Sequence, residues 1–266
     1  MWKTIFRTKF TYWILLLYGV LVLWWLRLQT MHLVNTPESY FFNWFYGFIA
    51  LSGALYGIYI SATKWGGGRS VIGKGLVLLP IGLLSQYIGV QIWFYYNVIA
   101  KVEVPYPSWA DIGFFGLIPA YTLGALMFAR AAGAQFSLRT AVGKVIAAVI
   151  PAGALVLAYA MFLKNVGIDS SQPLKTLLDF GYPLGEIIPV SIALITFTLS
   201  RKLLGGTMKG RIMFLIWAFS FQFLTEYAFL YAAGAGTYVN GGLNDLMYGT
   251  SYAIMSLALI SFSDYK

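Results

Sequence analysis

The sequence contains no cysteine and only one histidine, His32. Without cysteine the chain cannot form disulfides, cysteine-ligated zinc sites or iron–sulfur clusters, and it has no thiol nucleophile. A single imidazole cannot build the histidine-rich metal centres of membrane hydrolases and desaturases. It also leaves no catalytic set of nucleophile, base and orienting residue to assemble. We therefore expect a protein that is not an enzyme, and the sequence leaves any cofactor unknown.

Charge is scarce as well. Only 10% of the 266 residues are charged, against about 25% in a soluble domain. In contrast, 59% are hydrophobic, and the mean hydropathy is +0.74. Eight helices of about 20 residues would cross a bilayer with roughly 160 positions, close to the hydrophobic share of this chain. The sequence predicts an all-α polytopic protein with a single transmembrane domain over 1–266, embedded in the lipid bilayer of a prokaryotic cell membrane.

Long apolar runs separated by charge, glycine and proline define the predicted spans. The first run is too long and too aromatic for a cleaved signal peptide, and Arg27 follows it instead of a small-residue cleavage site. We expect it to stay in the mature protein. The eight predicted spans are 10–29, 40–62, 72–98, 109–131, 141–163, 177–200, 211–234 and 243–262.

The basic residues predict the orientation of these spans. One side of the predicted membrane holds 13 of the 18 Lys and Arg residues: Lys3, Arg7, Lys9, Lys64, Arg69, Lys74, Arg130, Arg139, Lys144, Arg201, Lys202, Lys209 and Arg211. Positive loops stay in the cytoplasm, so both termini are predicted to be cytoplasmic. Topology and anionic lipid headgroups account for the net charge of +9. Nucleic-acid binding is therefore not expected.

The chain also has an internal repeat. The positions just inside the outer end of each even-numbered span are Asn43, Asp111, Asp179 and Asp245. A proline lies six residues before the first three of these, and an aromatic residue lies three residues after all four. We therefore predict four tandem helical hairpins of about 68 residues, at about 1–63, 64–131, 132–200 and 201–266. Parallel repeats of this kind are related by an axis along the membrane normal, and we expect a cleft between them.

The repeated polar positions have two interpretations. Ser108 to Asp111 and Thr176 to Asp179 each fit a capping box, in which a hydroxyl and an acid start a helix. Alternatively, Asp111, Asp179, Asp245 and Asn43 form a ring at the outer mouth that attracts cations or basic ligands. The two interpretations are compatible.

Two further acids lie deeper. Glu186 is two helical turns below Asp179, and Glu226 lies at a similar depth in the seventh span. Acids inside a membrane are costly, which makes them candidates for a functional site. Gln91, Gln222 and also Gln86 could complete a polar cluster with them. A hydrogen-bonded pair that only holds the sixth and seventh helices together is the structural alternative.

Small residues at four-residue spacing predict close helix packing. The stripes are Gly53 with Gly57, Gly116 through Ala120 to Gly124, and Gly181 with Gly185. Such stripes could join hairpins within one chain or join copies in a homo-oligomer.

Three segments carry a family resemblance: Pro105-Tyr-Pro-Ser-Trp-Ala-Asp111, Asp179-Phe-Gly-Tyr-Pro183, and Gly236-Thr-Tyr238 through Asp245-Leu-Met-Tyr-Gly249. They resemble the polytopic membrane regions that precede diguanylate cyclase (GGDEF) or histidine kinase domains in many bacteria and archaea. The resemblance implies a sensory role, with the signal entering from the outer face or the bilayer. Only Ser263-Asp-Tyr-Lys266 follows the eighth span, so we expect no output domain and a separate cytoplasmic signalling partner.

Three functions remain open at this point. The first is a sensor-like receptor that binds a small or lipophilic ligand or a cation in an outward-facing cleft near Asp179, Glu186 and Glu226. The second is a proton- or cation-coupled transporter of small molecules, in which one glutamate binds and releases a proton. The third is a structural subunit of a larger membrane complex.

Overall fold

The computed structural model describes residues 1–200 and 206–264, and all the regular structure in these residues is helical. Short helical segments also occur at Trp2–Arg7, Gly67–Arg69, Ala134–Ser137 and Leu163–Asn165. The long helices are α1 (Lys9–Thr30), α2 (Pro37–Lys64), α3 (Val71–Phe94, continued by a π-helical segment at Tyr95–Ala100), α4 (Trp109–Ala131), α5 (Ala141–Met161), α6 (Pro173–Ser200), α7 (Gly206–Gly234) and α8 (Leu243–Ile260).

Within the described residues, seven of these helices, α1 to α7, are long and apolar enough to cross a membrane. This supports a multi-pass membrane protein. The eighth helix, α8, is the shortest, and it buries the polar residues Asp245, Ser251 and Ser256 against its neighbours. A helix that is surrounded by other helices can carry such residues because they do not face lipid.

Local sequence explains where several helices begin. The hydroxyl groups of Ser70 and Thr140 accept hydrogen bonds from Gly73 N and Gly143 N, and so cap α3 and α5. Ser108 caps α4 as part of the predicted capping box with Asp111. Proline is the first residue of α2 and α6, a position that needs no backbone donor.

The capping box predicted at Thr176 is wrong. Helix α6 begins at Pro173, about one turn earlier than the predicted span, so Thr176 lies inside the helix. Its hydroxyl is within 3.2 Å of both the backbone N and the backbone O of Asp169 in the preceding loop. Proline accounts for the earlier start because its fixed φ suits the first helical turn.

Six helices form a closed ring. The order of contacts is α2, α3, α4, α6, α7, α8 and back to α2. Helix α1 packs outside the ring against α2 and α8, and α5 packs outside it against α6. Only 22% of the most apolar stretch of α1 and 11% of that of α5 is buried, against 50% for α2, α3 and α6. The two outer helices therefore present most of their surface outward.

Glycines allow the ring helices to approach closely. A methyl group on Gly113 of α4 would collide with the backbone of Gly89 on α3, and one on Gly53 of α2 would lie 2.8 Å from Ser256 Cβ on α8. Gly185 of α6 faces Ile118 of α4 in the same way, at 2.6 Å. The small-residue stripes thus pack helices within one chain.

The two chain ends meet at one end of the bundle. Thr4 Oγ1 lies 3.3 Å from Asp264 Oδ2, and Trp65 Nε1 donates to Phe262 O at 2.9 Å. At the opposite end, Arg27 and Glu38 form an exposed ion pair at 2.9 Å. This second end also carries the repeated acids, which lie near the first residues of α4, α6 and α8.

Candidate functional site

The ring of helices encloses a central cavity of about 840 Å³. It starts at the end of the bundle that carries the repeated acids and continues down to Gln86 and Tyr252. Tyr252 is nine residues into α8, which places the inner part of the cavity roughly 13 Å along that helix. All six ring helices contribute to the lining, together with the segments that precede α4 and α8.

The mouth is tied together between α4 and α6 by two reciprocal tyrosine–aspartate hydrogen bonds. Tyr182 on α6 donates to Asp111 Oδ1 at 2.7 Å, and Tyr106, just before α4, donates to Asp179 Oδ1 at 2.9 Å. Asp179 also pairs with Lys175 at 2.8 Å. Burial, and then the hydrogen bond to Asp179, raises the pKa of the Tyr106 hydroxyl above its ordinary value. Tyr106 therefore stays neutral and donates a hydrogen bond to Asp179.

The acid on α8 holds the segment before it. Asp245 accepts hydrogen bonds from Gly241 N at 2.7 Å and from Tyr238 at 2.9 Å. Burial, followed by the charge of Asp245, raises the pKa of Tyr238. Asn43 on α2 adjoins this group through Asn240, at 3.4 Å, and its own Oδ1 is buried without a hydrogen-bond partner among the described residues.

Glu226 is the deepest acid that lines the cavity. It lies eight residues before the end of α7, roughly 12 Å along the axis, and is 9% exposed. Gln222 donates to one carboxylate oxygen and Tyr248 to the other, both at 2.7 Å, and Ser251 in turn donates to Gln222. These contacts fix the position of the carboxylate, and no Lys or Arg of the described residues pairs with it.

Glu186, on α6, is buried outside the cavity. It is 4% exposed and does not line the cavity. Within residues 1–200 and 206–264, no hydrogen bond reaches its carboxyl group, although it lies within electrostatic range of Glu226. Tyr121 on α4 is within range of both acids, and its hydroxyl is buried without a partner in the same described part of the chain.

The predicted glutamines are in different places. Gln222 belongs to the Glu226 network. Gln86 lines the cavity, accepts from Tyr252 at 2.9 Å and donates to Phe114 O at 3.2 Å. Gln91 lies away from the cavity, where its Oε1 accepts a hydrogen bond from Trp44 at 2.7 Å. Of the predicted site residues, Asn43, Asp111, Asp179, Glu226 and Asp245 line the cavity, whereas Glu186, Gln91 and Gln222 do not.

An aromatic wall, formed by the rings of Tyr46, Phe229, Tyr248 and Tyr252, adjoins Glu226 through the hydroxyl of Tyr248. The ring of Tyr248 lies 6.3 Å from that of Tyr46, 6.1 Å from that of Tyr252 and 5.8 Å from that of Phe229. All four rings line the cavity. None of these four rings was among the site residues predicted from the sequence. The repeat carries a signal for this wall, because Tyr46 and Tyr248 each follow a repeated polar position by three residues.

The site can hold charged and polar groups but offers no metal cage. Within the described residues, no three His, Asp or Glu side chains are grouped to ligate a metal ion. The lining combines an aromatic surface with a few fixed acceptors, a combination that is typical of small-molecule pockets. No protein-family model matches the chain, and no curated protein or solved structure matches it significantly.

Proposed function

We propose that the protein is a sensor-like membrane receptor that binds a small molecule in its central cavity from the non-cytoplasmic side. The cavity is the observation that carries this proposal. Its volume of about 840 Å³ lies within the range of about 300 to 1,000 Å³ for ligand pockets. Its lining combines fixed carboxylates with aromatic rings, and such a combination orients a ligand as well as burying it.

We propose further that the chain crosses the membrane eight times, as four hairpins, with both termini in the cytoplasm. The contact between Thr4 and Asp264 favours an even number of crossings, and the basic loops favour the cytoplasm for that end. Helix α8 is the eighth crossing in this proposal, because it completes the ring between α7 and α2.

A coupled transporter is the second candidate, and Glu186 is the observation that favours it. A buried carboxyl group without a hydrogen-bond partner, close to a second one, suits the binding and release of a proton or cation during transport. Uptake of small molecules into liposomes that contain the protein, under an imposed pH gradient, tests this candidate. Transport predicts uptake that Glu186→Gln abolishes, whereas a receptor predicts no uptake above that of empty liposomes.

Ligand binding is tested with the full chain in lipid nanodiscs. A panel of chemically mixed small molecules is screened by thermal unfolding for compounds that raise the Tm. We compare the wild type with Ala233→Trp, which fills the mouth, and with Leu224→Trp, which adds the same bulk on the outer surface of α7, where Leu224 is 57% exposed.

The receptor proposal predicts compounds that stabilise the wild type and Leu224→Trp but not Ala233→Trp. A panel with no stabilising compound, or compounds that stabilise all three proteins equally, would contradict it.

A further inference from the structure

We infer that the ligand of the central cavity is a small protonated amine, with its ammonium group bound by Glu226 and its organic part packed on the aromatic wall. This inference rests on the proposed receptor function and specifies the chemical class of its ligand.

The charges of the cavity favour a cation. Asp111, Asp179, Asp245 and Glu226 line it, and Lys175 is the one basic residue that the structure places in the lining, where it already pairs with Asp179 at 2.8 Å. The other three carboxylates receive hydrogen bonds only from neutral groups. Carboxylates in a low-dielectric environment need compensation. A cationic ligand would supply it, whereas an anionic ligand would be repelled.

One buried acceptor in the lining points to a ligand that brings hydrogen-bond donors. Asn43 lines the outer part of the cavity, is 1% exposed, and has an Oδ1 without a partner among the described residues. A buried acceptor without a donor is costly, and a donor on the ligand would offset this cost.

The size and surface of the cavity favour an organic ion over an inorganic one. A metal ion would leave most of the roughly 840 Å³ empty, and no metal-ligating group of three acids is present in the described chain. The rings of Tyr46, Tyr248 and Tyr252 line the cavity, and aromatic rings pack on hydrocarbon and attract ammonium groups.

Three probes of similar shape and different charge test the inference: phenethylammonium, 2-phenylethanol and 3-phenylpropanoate. Binding is measured by titration calorimetry with the full chain in nanodiscs of neutral lipid at pH 7. We expect phenethylammonium to bind at least about tenfold more tightly than the alcohol, and the carboxylate not to bind, because charge-assisted hydrogen bonds are the strong ones.

A matched pair of variants locates the ammonium group. Glu226→Gln keeps the shape and an oxygen acceptor but removes the charge, and we expect it to cancel the preference for the amine while changing the affinity of the alcohol by less than about twofold. Glu103→Gln removes one charge from an exposed residue near the same end of the bundle, and we expect it to leave both affinities unchanged.

The outcomes separate this inference from the receptor proposal. If the alcohol or the carboxylate binds as tightly as the amine, or if Glu226→Gln keeps the preference, the inference is wrong and the receptor proposal stands. If none of the three probes binds while other compounds in the panel stabilise the protein through the cavity, only the inference fails. If no compound of any class binds, both fail. The comparison of the three probes on the wild type needs no variant to fold.

Discussion

The tyrosine–aspartate exchange at the mouth shows how single residues set the shape of the site. Tyr182 reaches from α6 to the acid on α4, and Tyr106 reaches from the start of α4 to the acid on α6. Each aspartate thus starts or stabilises its own helix and also fixes the neighbouring one. The structural interpretation therefore applies to Asp111 and Asp179, and the attraction of cations by the same side chains stays a prediction.

Removing one of these hydrogen bonds should loosen the mouth. We expect Tyr182→Phe to lower the free energy of unfolding by about 2 kcal/mol, since the hydroxyl donates to a carboxylate. Thermal unfolding in nanodiscs should show a Tm lower by several degrees. Tyr159→Phe, on the exposed surface of α5, is the control and should have no effect. An equal Tm for both variants would mean that the Tyr182 bond contributes nothing to stability.

The residue types of the site were predictable from sequence, but their grouping was not. The acids stood out because carboxylates are rare and expensive in apolar segments. The structure does not bring Gln91 to these acids, because depth along a helix says nothing about which neighbour a side chain contacts, and Gln91 contacts Trp44. The partnership of Tyr248 with Glu226 joins α8 to α7 and could not be derived from spacing alone.

At the scale of elements, close approach between helices decides the shape of the ring. Helices α3 and α4 pass so closely that Gly89 and Gly113 meet backbone to backbone. Small residues at helix crossings are the usual means of packing in a membrane, where apolar side chains gain nothing by leaving lipid. The position of α4, and therefore of Asp111, depends on this crossing.

A methyl group at the crossing should be poorly tolerated. We expect Gly113→Ala to destabilise the protein by about 1 to 3 kcal/mol, because the added carbon would lie 2.8 Å from Ser85 O and would collide with Gly89. Gly153→Ala on α5 adds the same group where no atom lies within 4 Å, and it should be neutral or slightly stabilising.

Thermal unfolding of both proteins in nanodiscs checks this expectation. A Gly113→Ala protein as stable as Gly153→Ala would show that α3 and α4 are not held at the distance described.

Helix positions were well predicted because the order of long apolar runs and polar breaks along the chain carries that signal. Seven long apolar helices match predicted spans to within a few residues, and the capping box of α4 is confirmed. The early start of α6 was missed because Thr176 was taken as the cap, which left Lys175 in the preceding loop. In the structure Lys175 and Asp179 form a pair one turn apart within the helix. Local sequence does not reveal that this pairing is available.

At the scale of the whole molecule, the odd-numbered helices occupy two kinds of position: α1 and α5 lie outside the ring, whereas α3 and α7 lie in it. The repeated polar positions meet in pairs: Asn43 adjoins the Asp245 group between α2 and α8, and Asp179 and Asp111 each accept a hydrogen bond from the opposite segment between α6 and α4. The sequence repeat predicted four equivalent units, and it could not distinguish inner from outer helices.

The proposed topology makes a prediction about sidedness that the lack of native cysteine makes easy to test. Single cysteines at Lys3 and Asp264 should react with a membrane-impermeant thiol reagent only after the membrane has been permeabilised, so that the reagent reaches the cytoplasmic side. A cysteine at Glu103 should react in intact cells. All three residues lie in exposed positions. If Lys3→Cys and Asp264→Cys react from opposite faces, the number of crossings is odd and the proposed topology is wrong.

The central claim is that the ring encloses a binding cavity that opens to the non-cytoplasmic side, and protection of a single cysteine at Ala233 tests it most directly. Ala233 lies at the rim of the cavity. The rate at which Ala233→Cys reacts with an impermeant thiol reagent is measured in oriented membranes, with and without phenethylammonium. The account predicts reaction from the non-cytoplasmic side, and a rate that falls at least about fivefold when the amine occupies the cavity. A rate that no cavity ligand changes, or reaction only from the side that holds Lys3, would contradict it.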